Sequence, residues 1–284
     1  MSADTSFLLF QNILMASPAA AIHAHKVDIV TVGKMMYERR FIIAADGNLS
    51  VRLDDETILA TPTALCKGML TPDQLVKLTM DGKVIDGDYQ PSSEIKMHLA
   101  AYKTRPDVRA VIHAHPPIST GFAVAGIPLD QQILAEIIVN FGAIPLAPYQ
   151  LPSTAELAES VAEKVKCHDA VLMANHGVMT VGPDLYSAYH RLEMVEQFAT
   201  VSLVAHVLGK MQTFSAEQLR ALYAIREKAG VAAQNPYHAQ CPFPGQAKPC
   251  EPGECGGQRP SREIDPDALV QLITQVVTNM MNTR

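Results

Sequence analysis

Two histidines lie one residue apart in the apolar segment VIHAHPP, residues 111–117. In a β-strand the side chains of alternate residues point to the same face, so His113 and His115 would lie side by side while Ala114 points to the opposite face. Two imidazoles on one face can hold a metal ion. A pair of hydrogen-bonded core histidines would give the same pattern, so the choice between these interpretations depends on a third ligand.

His176 is the best candidate for that third ligand. It follows the apolar segment 170–173 and precedes Gly177, which permits a tight turn. The alternative interpretation is an Asn-His-Gly turn with an exposed imidazole. Further histidines compete for the role on numbers alone: His23, His25, His168, His190, His206 and His238.

A carboxylate stands at the predicted start of a helix over residues 93–104, for which Ser92 or Ser93 would be the N-cap. Glu94 is stabilised there by the helix dipole, and the free N–H groups beside it form a natural anion site. Small polar residues at two other turns, 47–48 and 61–63, could contribute to the same site. Each of these features alone is also compatible with ordinary turn chemistry.

Mixed helices and strands must position these residues, and they predict a layered α/β domain. Apolar periodicity predicts helices over 26–40, 93–104, 154–166 and 184–209, with Ser153 or Thr154 capping the third. Strands are predicted over 49–53, 57–62 and 109–115, and a strand–turn–strand unit over 170–182.

The composition divides the chain into four parts. Residues 1–25 form an N-terminal extension whose apolar stretch lacks a preceding positive charge, which favours a short leading helix over a secretory signal. Residues 26–234 are expected to form one domain that contains the candidate site residues, and 235–264 a linker rich in Pro and Gly. Residues 265–284 predict a tethered amphipathic helix whose apolar stripe is Leu269, Leu272, Ile273, Val276, Val277 and Met280.

Charge and cysteine content narrow the class of protein. The 284 residues carry a net charge of −6, which argues against nucleic acid or an anionic membrane as partner, and no apolar run is long enough to span a membrane. Five cysteines in a chain of this length indicate a reducing, cytoplasmic setting. Cys241, Cys250 and Cys255 are interpreted as incidental thiols, with a metal or redox role as the alternative.

Taken together, several segments resemble the class II aldolase/adducin family and, within it, the L-fuculose-1-phosphate aldolases. The matching segments run in order from residue 26 to about residue 232: GNLSVR (47–52), ATPTALCKG (60–68), residues 91–117, IPLAPYQLPST (144–154) and LMANHG (172–177). The resemblance implies a three-layer α/β/α fold with a central, largely antiparallel sheet. It also implies a homotetramer with active sites between the subunits.

The resemblance assigns roles to the matching residues. His113, His115 and His176 would bind one Zn²⁺ per subunit, and three protein ligands with an open position are typical of catalytic zinc. Glu94 would be the general base and a further ligand in the empty site. Lys67 is an additional candidate for a phosphate contact, beside a set that the resemblance assigns to the substrate phosphate: Gly47, Asn48, Thr63, Ala64, Ser92 and Ser93.

The implied activity is that of a class II, metal-dependent aldehyde-lyase. It would cleave a ketose 1-phosphate, such as L-fuculose 1-phosphate, reversibly to dihydroxyacetone phosphate and an aldehyde such as lactaldehyde, through an enediolate. Sibling sugar-phosphate 4-epimerases, decarboxylases and dehydratases share the histidine set and stay open as alternatives. A non-enzymatic adducin-like binding module is disfavoured because such proteins lack the three histidines.

Two departures from the resemblance concern tyrosines. The segment 129–138, where a proton-donating tyrosine is expected, contains none, and Glu136 is a substitute candidate. A second expected tyrosine falls near Ala229, with Tyr223 and Tyr237 out of register. A third departure is that Ala64 stands where a glycine is usual.

The C-terminal tail resembles the encapsulation peptides of bacterial microcompartment cargo enzymes. Its helix would place Leu269, Leu272, Ile273, Val276 and Met280 against shell or cargo proteins. The alternative is a helix that packs on the tetramer of this protein itself. The localisation expected is therefore cytoplasmic, inside a microcompartment if the tail is a targeting peptide.

Overall fold

An eight-stranded sheet forms the middle layer of the computed structural model, which describes residues 18–237, 241 and 271. The strand order is β4-β3-β2-β1-β5-β8-β7-β6, and all pairs are antiparallel except β6–β7. The strands are β1 Asn48–Arg52, β2 Thr57–Ala60, β3 Val76–Thr79, β4 Val84–Asp86, β5 Ala110–Ala114, β6 Leu146–Ala147, β7 Ala170–Met173 and β8 Gly177–Gly182. The predicted largely antiparallel sheet is confirmed.

Helices cover both faces of this sheet. They are α1 Pro18–Glu38, α2 Ile95–Thr104, α3 Pro117–Val124, α4 Ala135–Asn140, α5 Ala155–Val165, α6 Leu185–Val207 and α7 Ala216–Lys228. Helices α2 and α5 share one buried apolar cluster with strand residues such as Val111. Helices α1, α3, α4 and α6 share the other cluster with alternate residues such as Ile112. Two cores on opposite sheet faces confirm the three-layer α/β/α architecture.

The helix ends agree with the predictions in part. The Thr154 hydroxyl accepts a hydrogen bond from Leu157 N–H and caps α5, as predicted. The predicted serine cap of α2 is wrong, because Glu94 occupies the N-cap position and makes no side-chain capping bond. The first helix begins at Pro18 rather than at residue 26.

Several short elements lack a sequence signal and were not predicted. Strand β6 has two residues inside a proline-rich loop, and α4 has six residues. Two or six residues are too few to show a periodic pattern, so the sequence gives no local signal for these elements. Their conformation depends on tertiary contacts instead. Strands β3 and β4 and helices α3 and α7 were also absent from the prediction.

A disulfide joins Cys167, just after α5, to Cys241, which is 74 residues further along the chain. The interpretation of Cys241 as an incidental thiol is therefore wrong. Cys66 is a free cysteine. No helix in the described part of the chain is long and apolar enough to cross a bilayer. The predicted helix 265–284, with its apolar stripe, and residues 1–17 lie outside the described residues, Gln271 excepted.

Candidate active site

The candidate site lies at one end of the sheet, where β5 and β7 end and β1 and β8 begin. Asn48, the first residue of β1, is opposite His113 of β5 in the antiparallel register. His113 is in turn opposite Met179 of β8. His176 lies in the turn between β7 and β8. Three sequence-distant segments therefore meet at this end of the sheet.

The three histidines form one cluster. Their ring centroids are 4.7–5.4 Å apart, and one nitrogen of each lies within 4.8 Å of the others. Nε2 of His113 and Nε2 of His115 are separated by 3.1 Å. Ala114, between them, packs in the core on the opposite sheet face, which confirms the predicted alternation.

Glu94 completes the cluster from the start of α2. Its Oε1 lies 2.9 Å from His176 Nε2, and its Oε2 lies 3.3 Å from His113 Nε2. The Asn48 amide donates a 2.9 Å hydrogen bond to Oε2. The carboxylate thus bridges two of the three imidazoles while a neutral donor holds it in place.

Close backbone approaches explain two glycines at the site. Gly47 has φ +67°, and a Cβ there would lie 2.5 Å from the Ile42 side chain. At Gly177 a Cβ would lie 2.5 Å from the His115 ring. The left-handed residue in that turn is Asn175, with φ +54°, so Gly177 supplies space for the ring rather than the turn conformation predicted for it.

Burial determines the protonation of the cluster. It lowers the pKa of His113 far below the usual histidine range, and it lowers that of His115 as well. Burial raises the pKa of Glu94, but His113 and the hydrogen bonds from His176 and Asn48 lower it by more, so it lies well below its usual range. Near neutral pH the cluster therefore combines the neutral imidazoles of His113 and His115 with an ionised carboxylate.

These donors fit a divalent metal. His113 Nδ1–H donates to the Val178 carbonyl at 2.9 Å, which leaves a lone pair on Nε2. That lone pair faces both His115 Nε2 and the Glu94 carboxylate, an arrangement that a cation between them makes favourable. His115 Nδ1 lies 3.6 Å from the Asp46 carboxylate, so a second imidazole also has an acceptor behind it. Imidazole nitrogens and a carboxylate are common zinc ligands.

The segments predicted to bind phosphate lie next to one another. Thr63 N–H donates to the Gln90 carbonyl, and Ser92 N–H donates to the Thr61 carbonyl. Thr63, Ala64 and Ser93 are exposed, and Ser92 is buried. Ala64 has φ +59°, the left-handed conformation that glycine adopts without strain, which accounts for glycine being usual there.

Lys67 and Asn48 have protein partners that the sequence did not indicate. The buried Lys67 ammonium donates to the Ala45 carbonyl, and burial lowers its pKa against the opposing charge of Asp46. The Asn48 amide donates to both Glu94 and Ser92, so its two N–H groups are used within the site. Asp46 and His98, which contacts Asn48, were missed because each needs the folded arrangement to be noticed.

The three candidate proton donors lie at different places in the fold, outside the histidine cluster. Tyr237 packs on Lys166, with its ring 5.3 Å from the ammonium, at the end of the sheet remote from the histidines. Tyr223 lies on α7 and hydrogen-bonds Gln132. Glu136 is exposed in the first turn of α4. None of the three has a described contact with the cluster.

Comparison with known families matches residues 27–203 to the class II aldolase and adducin N-terminal domain. The 3-oxo-tetronate 4-phosphate decarboxylase of Haemophilus influenzae is 35% identical over 181 residues, which cover 62% of this chain and 85% of that protein. The L-fuculose phosphate aldolase of Methanococcus maripaludis is 31% identical over 186 residues, which cover 64% of this chain and 97% of that protein.

Solved structures give a similar result. A structure of an L-fuculose 1-phosphate aldolase is 30% identical, with a TM-score of 0.66, and the match covers 72% of this chain and 95% of that one. YgbL from Escherichia coli, described as a putative aldolase/epimerase/decarboxylase, is 29% identical with a TM-score of 0.67. That match covers 71% of this chain and 99% of the YgbL chain.

Proposed function

This chain belongs to the class II aldolase and adducin family and is a metal-dependent lyase, and we propose that it cleaves a carbon–carbon bond beside the carbonyl of a phosphorylated substrate. The reaction proposed is reversible cleavage of a ketose 1-phosphate, such as L-fuculose 1-phosphate, to dihydroxyacetone phosphate and an aldehyde. The observation that carries the proposal is the Glu94 carboxylate, which lies 2.9 Å from His176 and 3.3 Å from His113.

His113, His115 and His176 would hold the metal, for which zinc is the proposed identity. Bound there, the ion would act as a Lewis acid that stabilises negative charge on the oxygens of the substrate. The exposed Thr63 and Ser93, with the neighbouring backbone N–H groups, are proposed to hold the phosphate. These segments are joined to β1 through Thr61, whose hydroxyl accepts from Leu49 N–H.

Glu94 is proposed to move the proton at carbon. In the cleavage direction the C3–C4 bond breaks, its electron pair enters the carbonyl, and an enediolate forms. In the cleavage direction the proton that the C4 hydroxyl releases as the aldehyde forms would reach C3 through Glu94, and in the reverse direction the ionised Glu94 would remove the proton from C3. Its low pKa keeps it ionised and ready to accept, while Asn48 N–H fixes the oxygen that receives the proton.

Decarboxylation is the second candidate, and a specific observation favours it. Loss of CO₂ from a 3-oxo-tetronate 4-phosphate leaves the same enediolate, so Glu94 and the histidines would act unchanged. The departing CO₂ carries no hydroxyl proton, whereas the departing aldehyde leaves a proton that some group must accept. The absence of tyrosine from 129–138 therefore matters for aldol cleavage and not for decarboxylation.

The test offers both substrates to the zinc-loaded protein and follows release of dihydroxyacetone phosphate with a coupled dehydrogenase. We expect metal-dependent release from L-fuculose 1-phosphate, with kcat reduced by about 10³-fold in Glu94→Gln because general acid–base catalysis contributes that much. Glu163→Gln makes the same charge change at an exposed position and should be fully active. Release only from the 3-oxo acid would replace the aldolase proposal with the decarboxylase.

The assembly and the tail are separate proposals. The likeness to the aldolases supports a homotetramer, and light scattering of the purified protein tests it. The Pro/Gly-rich segment and the apolar stripe at 265–284 support targeting to a microcompartment within the cytoplasm. Removal of residues 265–284 should then abolish co-purification with shell proteins while kcat is unchanged, and retained co-purification would contradict the targeting role.

A further inference from the structure

Five polar side chains form a continuous row between α2 and β1, and four of them are buried. Glu94, His98 and Tyr102 are spaced four residues apart on α2, and Asn48 and Ser50 are two residues apart on β1. Four helical residues rise about 6 Å, and two strand residues span about 6.6 Å. The polar groups therefore recur at nearly the same interval along the helix and along the strand, and each side chain reaches the next one across the interface.

The row is hydrogen-bonded at every step. Asn48 Nδ2 lies 2.9 Å from Glu94, and Asn48 Oδ1 lies 2.6 Å from His98 Nε2. Ser50 Oγ lies 2.7 Å from His98 Nδ1 and 2.8 Å from the Tyr102 hydroxyl. His98, Ser50 and Tyr102 are all 0% exposed, so water does not compete for these bonds.

The chemistry of each group fixes the direction of every bond. An ionised carboxylate only accepts, so Asn48 must turn its NH₂ group toward Glu94 and its carbonyl toward His98. His98 Nε2 must then carry the proton. Burial lowers the pKa of His98 to about 4, so the ring is neutral near pH 7 and its Nδ1 is an acceptor. Ser50 donates to that nitrogen and accepts from Tyr102.

We propose that His98 is a positioning residue, which holds the Asn48 amide in the one orientation that presents two N–H groups to the reacting end of the site. This inference rests on the proposed role of Glu94 as the proton-transferring group. A 180° flip of the Asn48 side chain would place a carbonyl oxygen against the carboxylate. The His98 Nε2–H group prevents the flip, because the flipped amide would face it with a second donor.

A matched pair of variants separates positioning from packing. In His98→Gln the side-chain amide can reach the Nε2 position and donate to Asn48, whereas in His98→Asn it reaches only the Nδ1 position. We expect His98→Gln to stay within about threefold of wild-type kcat and His98→Asn to lose about 10²-fold, the size of effect that a 1 Å misplacement can have. KM and zinc content should be unchanged in both. Equal losses in the two variants, in proportion to a loss of thermal stability, would overturn the inference.

A second measurement does not depend on turnover. Long-range ¹H–¹⁵N spectra of the ¹⁵N-histidine-labelled full chain report which nitrogen of each ring carries hydrogen, and the His98→Gln spectrum assigns the signal. We expect the Nε2–H tautomer between pH 6 and pH 8, and an Nδ1–H tautomer would contradict the inference. If neither substrate is cleaved, the proposed function fails, while the tautomer still decides whether His98 holds Asn48.

Discussion

The two ends of the central sheet both bury polar groups, but they use them differently. At the end remote from the histidines, Arg105 contacts Asp107 at 2.6 Å and Asp169 at 3.0 Å, and Arg191 contacts Asp169 at 3.0 Å. Two guanidinium groups face two carboxylates, so the charges balance within the chain. At the other end, Glu94 and Asp46 face three imidazoles, of which His113 and His115 have lowered pKa values, and among the described residues neither carboxylate has a Lys or Arg partner within 4 Å.

This difference distinguishes a structural cluster from a functional one. Every described donor of Arg105 has an acceptor, including the Val165 carbonyl, so nothing more is needed for stability. The histidine cluster directs lone pairs and a carboxylate toward one point, which suits a cation from outside the chain. We therefore expect changes at the first end to alter stability and changes at the second to alter metal binding and turnover.

The largest effect is expected from Asp169→Asn, which removes the carboxylate partner of Arg191 and leaves the buried Arg105 with Asp107 as its carboxylate partner. The free energy of unfolding should fall by about 4 kcal/mol, as for other broken buried ion pairs. Urea unfolding measures the loss, with Asp81→Asn as the control because that side chain is 92% exposed. A large change in kcat of the folded variant would contradict the separation of the two ends.

A smaller effect is expected from Cys241→Ser, which opens the bridge to Cys167 at the same end of the sheet. Closing a long loop restricts the unfolded chain, so the variant should lose about 3 kcal/mol of stability. Cys66→Ser, which changes a cysteine outside the bridge, is the matched control. If a reducing agent leaves the melting temperature of wild type unchanged, the bridge does not contribute in solution.

The smallest effect is expected at the site end, from Asp46→Asn. The acceptor 3.6 Å behind His115 Nδ1 loses its charge, and the metal affinity should fall about tenfold, as for other changes behind a metal ligand. Competition with a chromogenic chelator measures the affinity, and Asp55→Asn at an exposed position is the control. Unfolding of the metal-free variant should show only the small loss that follows from the weaker attraction to Lys67; a large loss of stability would show that Asp46 is structural instead.

The parts of the molecule with local signals could be predicted from the sequence. The alternation in 111–115 predicted that His113 and His115 share a face, and Thr154 predicted the start of α5. These features depend on period and capping, which a few neighbouring residues encode.

The remaining parts depend on which elements pack together. Ser50 and His98 are 48 residues apart, and nothing near either residue indicates that α2 lies over β1. The bridge between Cys167 and Cys241 spans 74 residues and likewise has no local pattern. The four-residue spacing of Glu94, His98 and Tyr102 is visible in the sequence. Its role could be inferred only from the structure, where it matches the spacing of Asn48 and Ser50 on β1.

The register between β1 and β5 has a consequence for how preparations of this protein can be judged. Asn48 is opposite His113, and a shift of one residue would turn Asn48 and Ser50 away from α2 together. A misregistered molecule would therefore lack activity altogether, without an intermediate level. Specific activity after refolding then counts the fraction of molecules whose strands are correctly aligned.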